Sequence, residues 1–118
     1  MTEEKLCDHH FQGEILIIHF LTGIESSEVL ELKNRIISLI SDNRSAMVIY
    51  DFSAVPFIDS SGIGMFVNIQ RELNNSFAAR FCNINDRIRQ SFESMHLFKI
   101  FTVDETLDES IAAFTTKE

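Results

Sequence analysis

The sequence predicts an α/β fold, a small mixed and mostly parallel sheet with helices packed on it. Three observations carry this. Short apolar runs of strand character alternate with segments of helical period in the order β-β-α-β-α-β-α-β-α, and such alternation implies crossover connections between parallel strands. The first two runs meet around Gly13 with no helical segment between them, which predicts an antiparallel hairpin at the start. At 118 residues, 45% hydrophobic and 24% charged, the chain has the size and composition of one domain with its own core, spanning about residues 6–115.

Residues 6–12 and 14–21 read as the hairpin strands. The second is apolar apart from Glu14 and His19, as expected of a strand covered on both faces. Ser26 and Ser27 offer N-cap hydroxyls for a helix to about Asn43, with Glu28 in its first turn. At about 100° per residue, Val29, Leu30, Leu32, Ile36, Ile37, Leu39 and Ile40 fall on one side of it. Ala46 to Phe52 is the next buried strand, and Pro56 keeps Val55 extended in the loop that follows. A helix is expected from about Ser61 to Asn75, then a strand over 77–84. Asn85 or Asp86 caps a third helix with Ile88, Phe92 and Met95 on one face, and a short strand covers 100–103. Thr106 and Glu109 have the capping-box spacing for a final helix, with Leu107, Ile111 and Phe114 at helical period.

The formal net charge of −8, with only 10 basic residues scattered along the chain, argues against a nucleic-acid partner. It favours a protein partner with a basic face. No apolar run approaches the roughly 20 residues that span a bilayer, so no membrane insertion is expected. The acidic start of the chain does not read as a signal peptide, and a cytoplasmic location is the expectation. Cys7 and Cys82 are then expected to be reduced. Cys7, His9, His10, His19, Cys82 and His96 match no zinc spacing, so neither a metal nor a cofactor is expected.

The stretch Phe57 to Phe66 is the most informative. It places Ser60 and Ser61 where a loop becomes a helix, beneath the backbone N–H groups and positive dipole end of its first turn. A serine there can be a cap, a phosphate acceptor or a nucleophile. Gly62 projects into the helix's apolar arc, where a missing side chain lets the helix approach the sheet closely. Gly64 falls opposite, beside Asn68, and leaves backbone uncovered next to the serines. Two glycines in the first turns cost about 1 kcal/mol each relative to alanine, a cost easier to understand if something must approach there. Asp51, in a buried strand, reads as a carboxylate hydrogen-bonded to loop N–H groups, and Asp59 as a loop organiser rather than a base. There is no Gly-x-Ser-x-Gly elbow and no phosphate-binding Gly-Lys-Ser/Thr loop, so an enzyme is not expected.

The run Val48-Ile49-Tyr50-Asp51-Phe52-Ser53-Ala54-Val55-Pro56-Phe57-Ile58-Asp59-Ser60-Ser61-Gly62-Ile63-Gly64 resembles the signature of STAS domains, and more narrowly that of bacterial anti-sigma factor antagonists. The late segment Leu97-Phe98-Lys99-Ile100-Phe101 fits as well. The resemblance implies that Ser60, and less readily Ser61, is phosphorylated by a partner that is both serine kinase and anti-sigma factor. The unmodified chain would bind that partner and release a sigma factor, and a serine phosphatase would reset the switch. By position the docking surface would comprise Asp59, Ser60, Ser61, Gly62, Gly64, Met65, Asn68 and Glu25, with Asp51 supporting the loop, in a monomer or weak dimer. Where the family has Gly-Glu-Leu-Asp after the second strand, this chain has Gly23-Ile24-Glu25-Ser26-Ser27, with Glu25 in place of the aspartate. The alternative is a STAS subunit of another assembly, a lipid-transport ATPase or a stress-signalling complex. A third reading is nucleotide binding or slow hydrolysis at a pocket between Asp51 and Ser60.

Overall fold

The computed structural model describes residues 5–116. Five strands form one sheet in chain order: β1 (Cys7–Gln12), β2 (Ile15–Phe20), β3 (Met47–Asp51), β4 (Ala78–Cys82) and β5 (Thr102–Asp104). The β1–β2 pair is antiparallel and closes on Gly13, whose φ of +59° is a conformation glycine adopts without penalty. The other pairs are parallel, with His19 opposite Asp51 and Asp51 opposite Cys82. Between and after the strands run α1 (Ser26–Asn43), α2 (Ser60–Glu72), α3 (Asp86–Ser94) and α4 (Leu107–Thr115), with a single 3₁₀ turn at Leu97–Lys99. The predicted α/β order is therefore the observed one.

Strand alternation sends side chains to two faces. Leu16, Ile18, Phe20, Val48, Tyr50, Phe52 and Phe81 point into the main core with the apolar faces of α1, α2 and α3. There Phe20, Tyr50, Phe52, Phe66 and Phe81 interlock with ring centroids 4.7–6.0 Å apart, each such pair adding about 0.5–1.5 kcal/mol beyond area burial. Ile15, Ile17, Ile49 and Cys82 face the other way, under Leu107, Ile111 and Phe114 of α4. This second layer explains why β2 reads as continuously apolar. Thr106 caps α4 by accepting from the Glu109 N–H at 3.1 Å, as its spacing predicts.

Several boundaries move, for local reasons. Leu30 is exposed, because it lies beyond the edge of the α1 arc that Leu32, Ile36 and Ile40 centre. The second helix stops at Glu72 rather than Asn75: Asn74 and Asn75 both take left-handed φ values, +55° and +54°, which asparagine tolerates and a helix cannot contain. Asn83, at φ +59°, likewise ends β4 at Cys82. The third helix is capped by Asn85 and ends at Ser94, so Met95 is carried out to solvent while Ile88 and Phe92 stay buried. The 3₁₀ turn then delays the last strand to Thr102 and leaves Ile100 exposed.

Candidate functional site

The site lies where β3 leads through residues 52–59 into α2. Ser60 is the first helical residue, and the cap is Asp59, whose Oδ1 accepts from the Gly62 N–H at 3.0 Å. Its Oδ2 accepts from the Ser26 N–H at 3.1 Å, so one carboxylate satisfies the first turns of two helices. That removes the capping role from Ser26 and Ser27: the N-cap of α1 is Glu25, which makes no side-chain cap bond. The backbones are clipped beside it, with Ile24 N–H donating to Phe57 O at 3.1 Å and Asp59 N–H to Ile24 O at 3.0 Å, across a parallel bridge of Ile24 and Ile58.

With the cap supplied by Asp59, both serines stand exposed at the mouth of α2. Gly64 and Asn68 continue the same surface, and a Cβ added at Gly64 would meet nothing within 4 Å. Gly62 and Met65, expected in the docking surface, are not on it. Gly62 is buried, and its close neighbours are Ile24 and Ile58 rather than the sheet: an added Cβ would lie 2.7 Å from Ile58 Cγ1, 2.8 Å from Ile24 Cγ2 and 3.0 Å from Ile24 O. Met65 is 1% exposed. The core face of α2 is rotated toward it because α1 packs alongside α2, where Lys33 pairs with Glu72, as well as the sheet beneath. Glu25 stays at the rim, lining a shallow cavity with Thr22, Gly23, Glu28 and Phe57. Gly62→Ala is accordingly expected to destabilise the fold by about 1–3 kcal/mol through overpacking against the Ile58 and Ile24 side chains and the Ile24 carbonyl. Gly64→Ala should stabilise it by about 1 kcal/mol through helix propensity. Chemical denaturation of the two variants checks the contrast.

Asp51 is the hub behind the loop. Its Oδ1 accepts from the Ser53 N–H at 3.1 Å and from Asn83 Nδ2 at 2.9 Å, and its Oδ2 from the Ser53 hydroxyl at 3.2 Å, while His19 Nδ1 lies 2.6 Å from Oδ2. Burial alone would raise its pKa, but the bonds from Asn83, His19 and Ser53 outweigh it and hold the carboxyl below the ordinary aspartate value. His19 Nε2 in turn meets His10 Nδ1 at 3.1 Å, a contact that neither histidine's sequence neighbourhood announces. The order is serine–carboxylate–histidine, so no imidazole stands against a hydroxyl to activate it. Beside Asp51, burial and then the carboxylate's charge push the Cys82 thiol up to about 12, so it stays neutral.

Sequence reasoning did not assign Asn85 its second role. Besides accepting from the Ile88 N–H at 2.8 Å as the cap of α3, it donates from Nδ2 to Pro56 O at 3.1 Å and to Val55 O at 3.3 Å. The loop that presents Ser60 is thus held from below by Asp51 and from the side by Asn85. Arg87 adds a guanidinium 5.7 Å from the Phe57 ring centroid. The site is acidic at its rim and offers two exposed hydroxyls on a helix start.

Comparison with known proteins agrees with this architecture. The STAS domain family matches residues 8–110. Among solved structures, the Thermotoga maritima protein TM1081 is similar at TM-score 0.84 and 16% identity, covering 91% of this chain and 92% of its own. An anti-sigma factor antagonist from Mycobacterium paratuberculosis is similar at TM-score 0.81 and 19% identity, covering 91% of each chain. The anti-sigma factor antagonist SpoIIAA of Bacillus is similar in its unphosphorylated form at TM-score 0.76 and 20% identity, covering 92% of this chain and 95% of its own. In its phosphorylated form it is similar at TM-score 0.68 and 21% identity, covering 92% and 98%. The chain belongs to the STAS domain family.

Proposed function

We propose that this chain is an anti-sigma factor antagonist switched by phosphorylation of Ser60. Unmodified, it docks the first turns of α2, with Ser60, Ser61 and Asn68 exposed, Gly64 half-buried beside them and Glu25 at the rim, onto an anti-sigma factor that is also a serine kinase. A sigma factor is thereby released. The kinase then transfers a phosphoryl group to the Ser60 hydroxyl, docking ends, and a serine phosphatase restores the first state. The chain supplies a hydroxyl and a surface, not catalysis, and works in the cytoplasm as a single domain, monomeric or weakly dimeric.

The observation that carries this reading is the division of labour at the start of α2. Asp59 does the capping, so the Ser60 hydroxyl is exposed and has no structural duty. A phosphate there adds about −1.5 to −2 charge. Within the chain, the positive end of α2 offsets repulsion from Asp59, so the fold persists. Against a partner, the same group is a hydrated dianion pressed into a surface shaped for a hydroxyl. Incubation of the full chain with ATP and the candidate kinase tests the assignment by intact mass. One phosphoryl addition is expected, absent in Ser60→Ala and retained in Ser61→Ala. Addition to Ser60→Ala would contradict it.

A further inference from the structure

Side chains two apart on a strand share a face, so His19 lies on the side of the sheet that Ile15 and Ile17 turn toward α4. His10 stands opposite Ile17 on β1 and shares that side. The two imidazoles meet there across the hairpin, with His10 Nδ1 and His19 Nε2 3.1 Å apart. Their planes are 9° from parallel and their centroids 5.0 Å apart. His10 is exposed and His19 half-buried, so solvent reaches the pair.

Asp51 decides which nitrogen of His19 faces outward. Its ionised carboxyl can only accept, so the His19 Nδ1 that lies 2.6 Å from Oδ2 carries a proton. In the neutral ring Nε2 is then a bare lone pair, and it points at His10. An imidazole whose Nδ1–H is held by a carboxylate while Nε2 stays free is the arrangement by which proteins orient a metal-binding histidine. In the free pair a proton on His10 Nδ1 fills the gap. Moving that proton to Nε2 of the same exposed ring leaves a second lone pair beside the first. The spacing suits an ion. Two imidazoles in one plane, each about 2.0–2.1 Å from an ion and about 100° apart around it, have nitrogens about 3.1 Å and centroids about 5 Å apart. Both separations are those observed.

We infer that His10 and His19 bind a divalent transition-metal ion of the zinc class, with Asp51 orienting His19 from behind. Imidazole nitrogens suit such ions, whereas magnesium and calcium take oxygen ligands. Asp8 lies opposite His19 in the hairpin register but pairs with Lys5 at 3.3 Å. No three metal-ligating side chains converge among the described residues, so water completes the coordination and the ion is exchangeable. Cys7 and His9 take the other face of β1, where Cys7 is buried in the main core. Spacing along the chain matches no zinc pattern because the two ligands meet only through strand pairing. The bound ion joins β1 to β2 and, through Asp51, to the strand that leads toward Ser60. The site does not depend on whether Ser60 is phosphorylated.

Calorimetric titration of the full chain with Zn²⁺, alone and in excess Mg²⁺, tests this alongside spectra of its ¹⁵N-labelled imidazoles. Saturable binding of one Zn²⁺ per chain is expected, unaffected by Mg²⁺. The ring nitrogens of His10 and His19 should shift while those of His9 and His96 do not. In the metal-free chain His19 should carry its proton on Nδ1. His10→Gln, an exposed change, should weaken Zn²⁺ binding at least about tenfold with the metal-free melting temperature within a few degrees of the parent. His9→Gln and His96→Asn should bind as the parent does. Zn²⁺ should raise the melting temperature of the parent and of His9→Gln, and not that of His10→Gln. Four outcomes overturn the inference. They are binding that does not saturate or yields to Mg²⁺, ring shifts at His9 or His96 instead of the pair, affinity unchanged in His10→Gln, and a metal-free His19 protonated on Nε2 alone.

Discussion

Asp51→Ala is expected to lower stability by about 2–4 kcal/mol. That is a fall of roughly 10 °C in melting temperature for a domain of this size. The loss exceeds that of one hydrogen bond because the carboxylate collects His19, Asn83 and both donors of Ser53. Removing it strands those donors at a partly buried place. Asp51→Asn should recover only part, since an amide oxygen accepts less strongly and its NH₂ opposes the Ser53 N–H. Acid has a related effect. Asp51 titrates below its ordinary value in the fold, and so does Asp104, which Arg80 holds down with bonds of 2.7 and 3.1 Å and Ser110 with one of 2.7 Å. The unfolded chain therefore takes up these protons first. Their stabilisation is complete above about pH 4 and is lost as pH falls through the lowered folded values. Melting followed by circular dichroism from neutral to acid pH checks this, and Asp51→Ala should show a shallower acid limb.

Ser60→Asp is expected to weaken docking onto the kinase partner about 100-fold, near 2.7 kcal/mol, with the melting temperature within a few degrees of the parent. A carboxylate carries less charge than phosphate but meets the same desolvation cost at the interface. Gly64→Gln separates bulk from charge. Its side chain projects into open space in the free protein, so stability should rise by several tenths of a kcal/mol. Docking should still fall by tenfold or more if the partner approaches the bare backbone at Gly64. Calorimetric titration of the partner with each variant reads both effects. A Gly64→Gln chain that docks normally would move the interface off this face of α2.

Much of the fold was legible because its signals are local. The hairpin at Gly13, the two-sided burial of β2 and the Thr106 cap each follow from residues a few positions apart. The ends displaced at Asn74, Asn75, Asn83 and His96 share one cause, left-handed backbone at residues that apolar periodicity does not register. Of the candidate site, the motif from Asp51 to Gly64 located the start of α2, where Ser60 is exposed. The surroundings were hidden because they are tertiary. Ser26 is capped by a carboxylate 33 residues away, Asn85 clamps a loop about 30 residues earlier, and His10 reaches Asp51 only through His19. Met65 was misjudged because a helical wheel counts one packing surface, while α2 has two, the sheet and α1. Gly62 was read correctly as a close approach, but to Ile24 and Ile58 rather than to the strands.

A phosphoryl group on Ser60 is proposed to act on the interface and not on the fold. The direct measurement is the affinity of the purified serine-kinase anti-sigma factor for the full chain before and after stoichiometric phosphorylation at Ser60, taken with the melting curve of each form. The expected result is at least a 100-fold loss of affinity between two forms that melt within a few degrees of each other. Equal affinity of the two forms, or a loss of affinity that only accompanies unfolding, would contradict it.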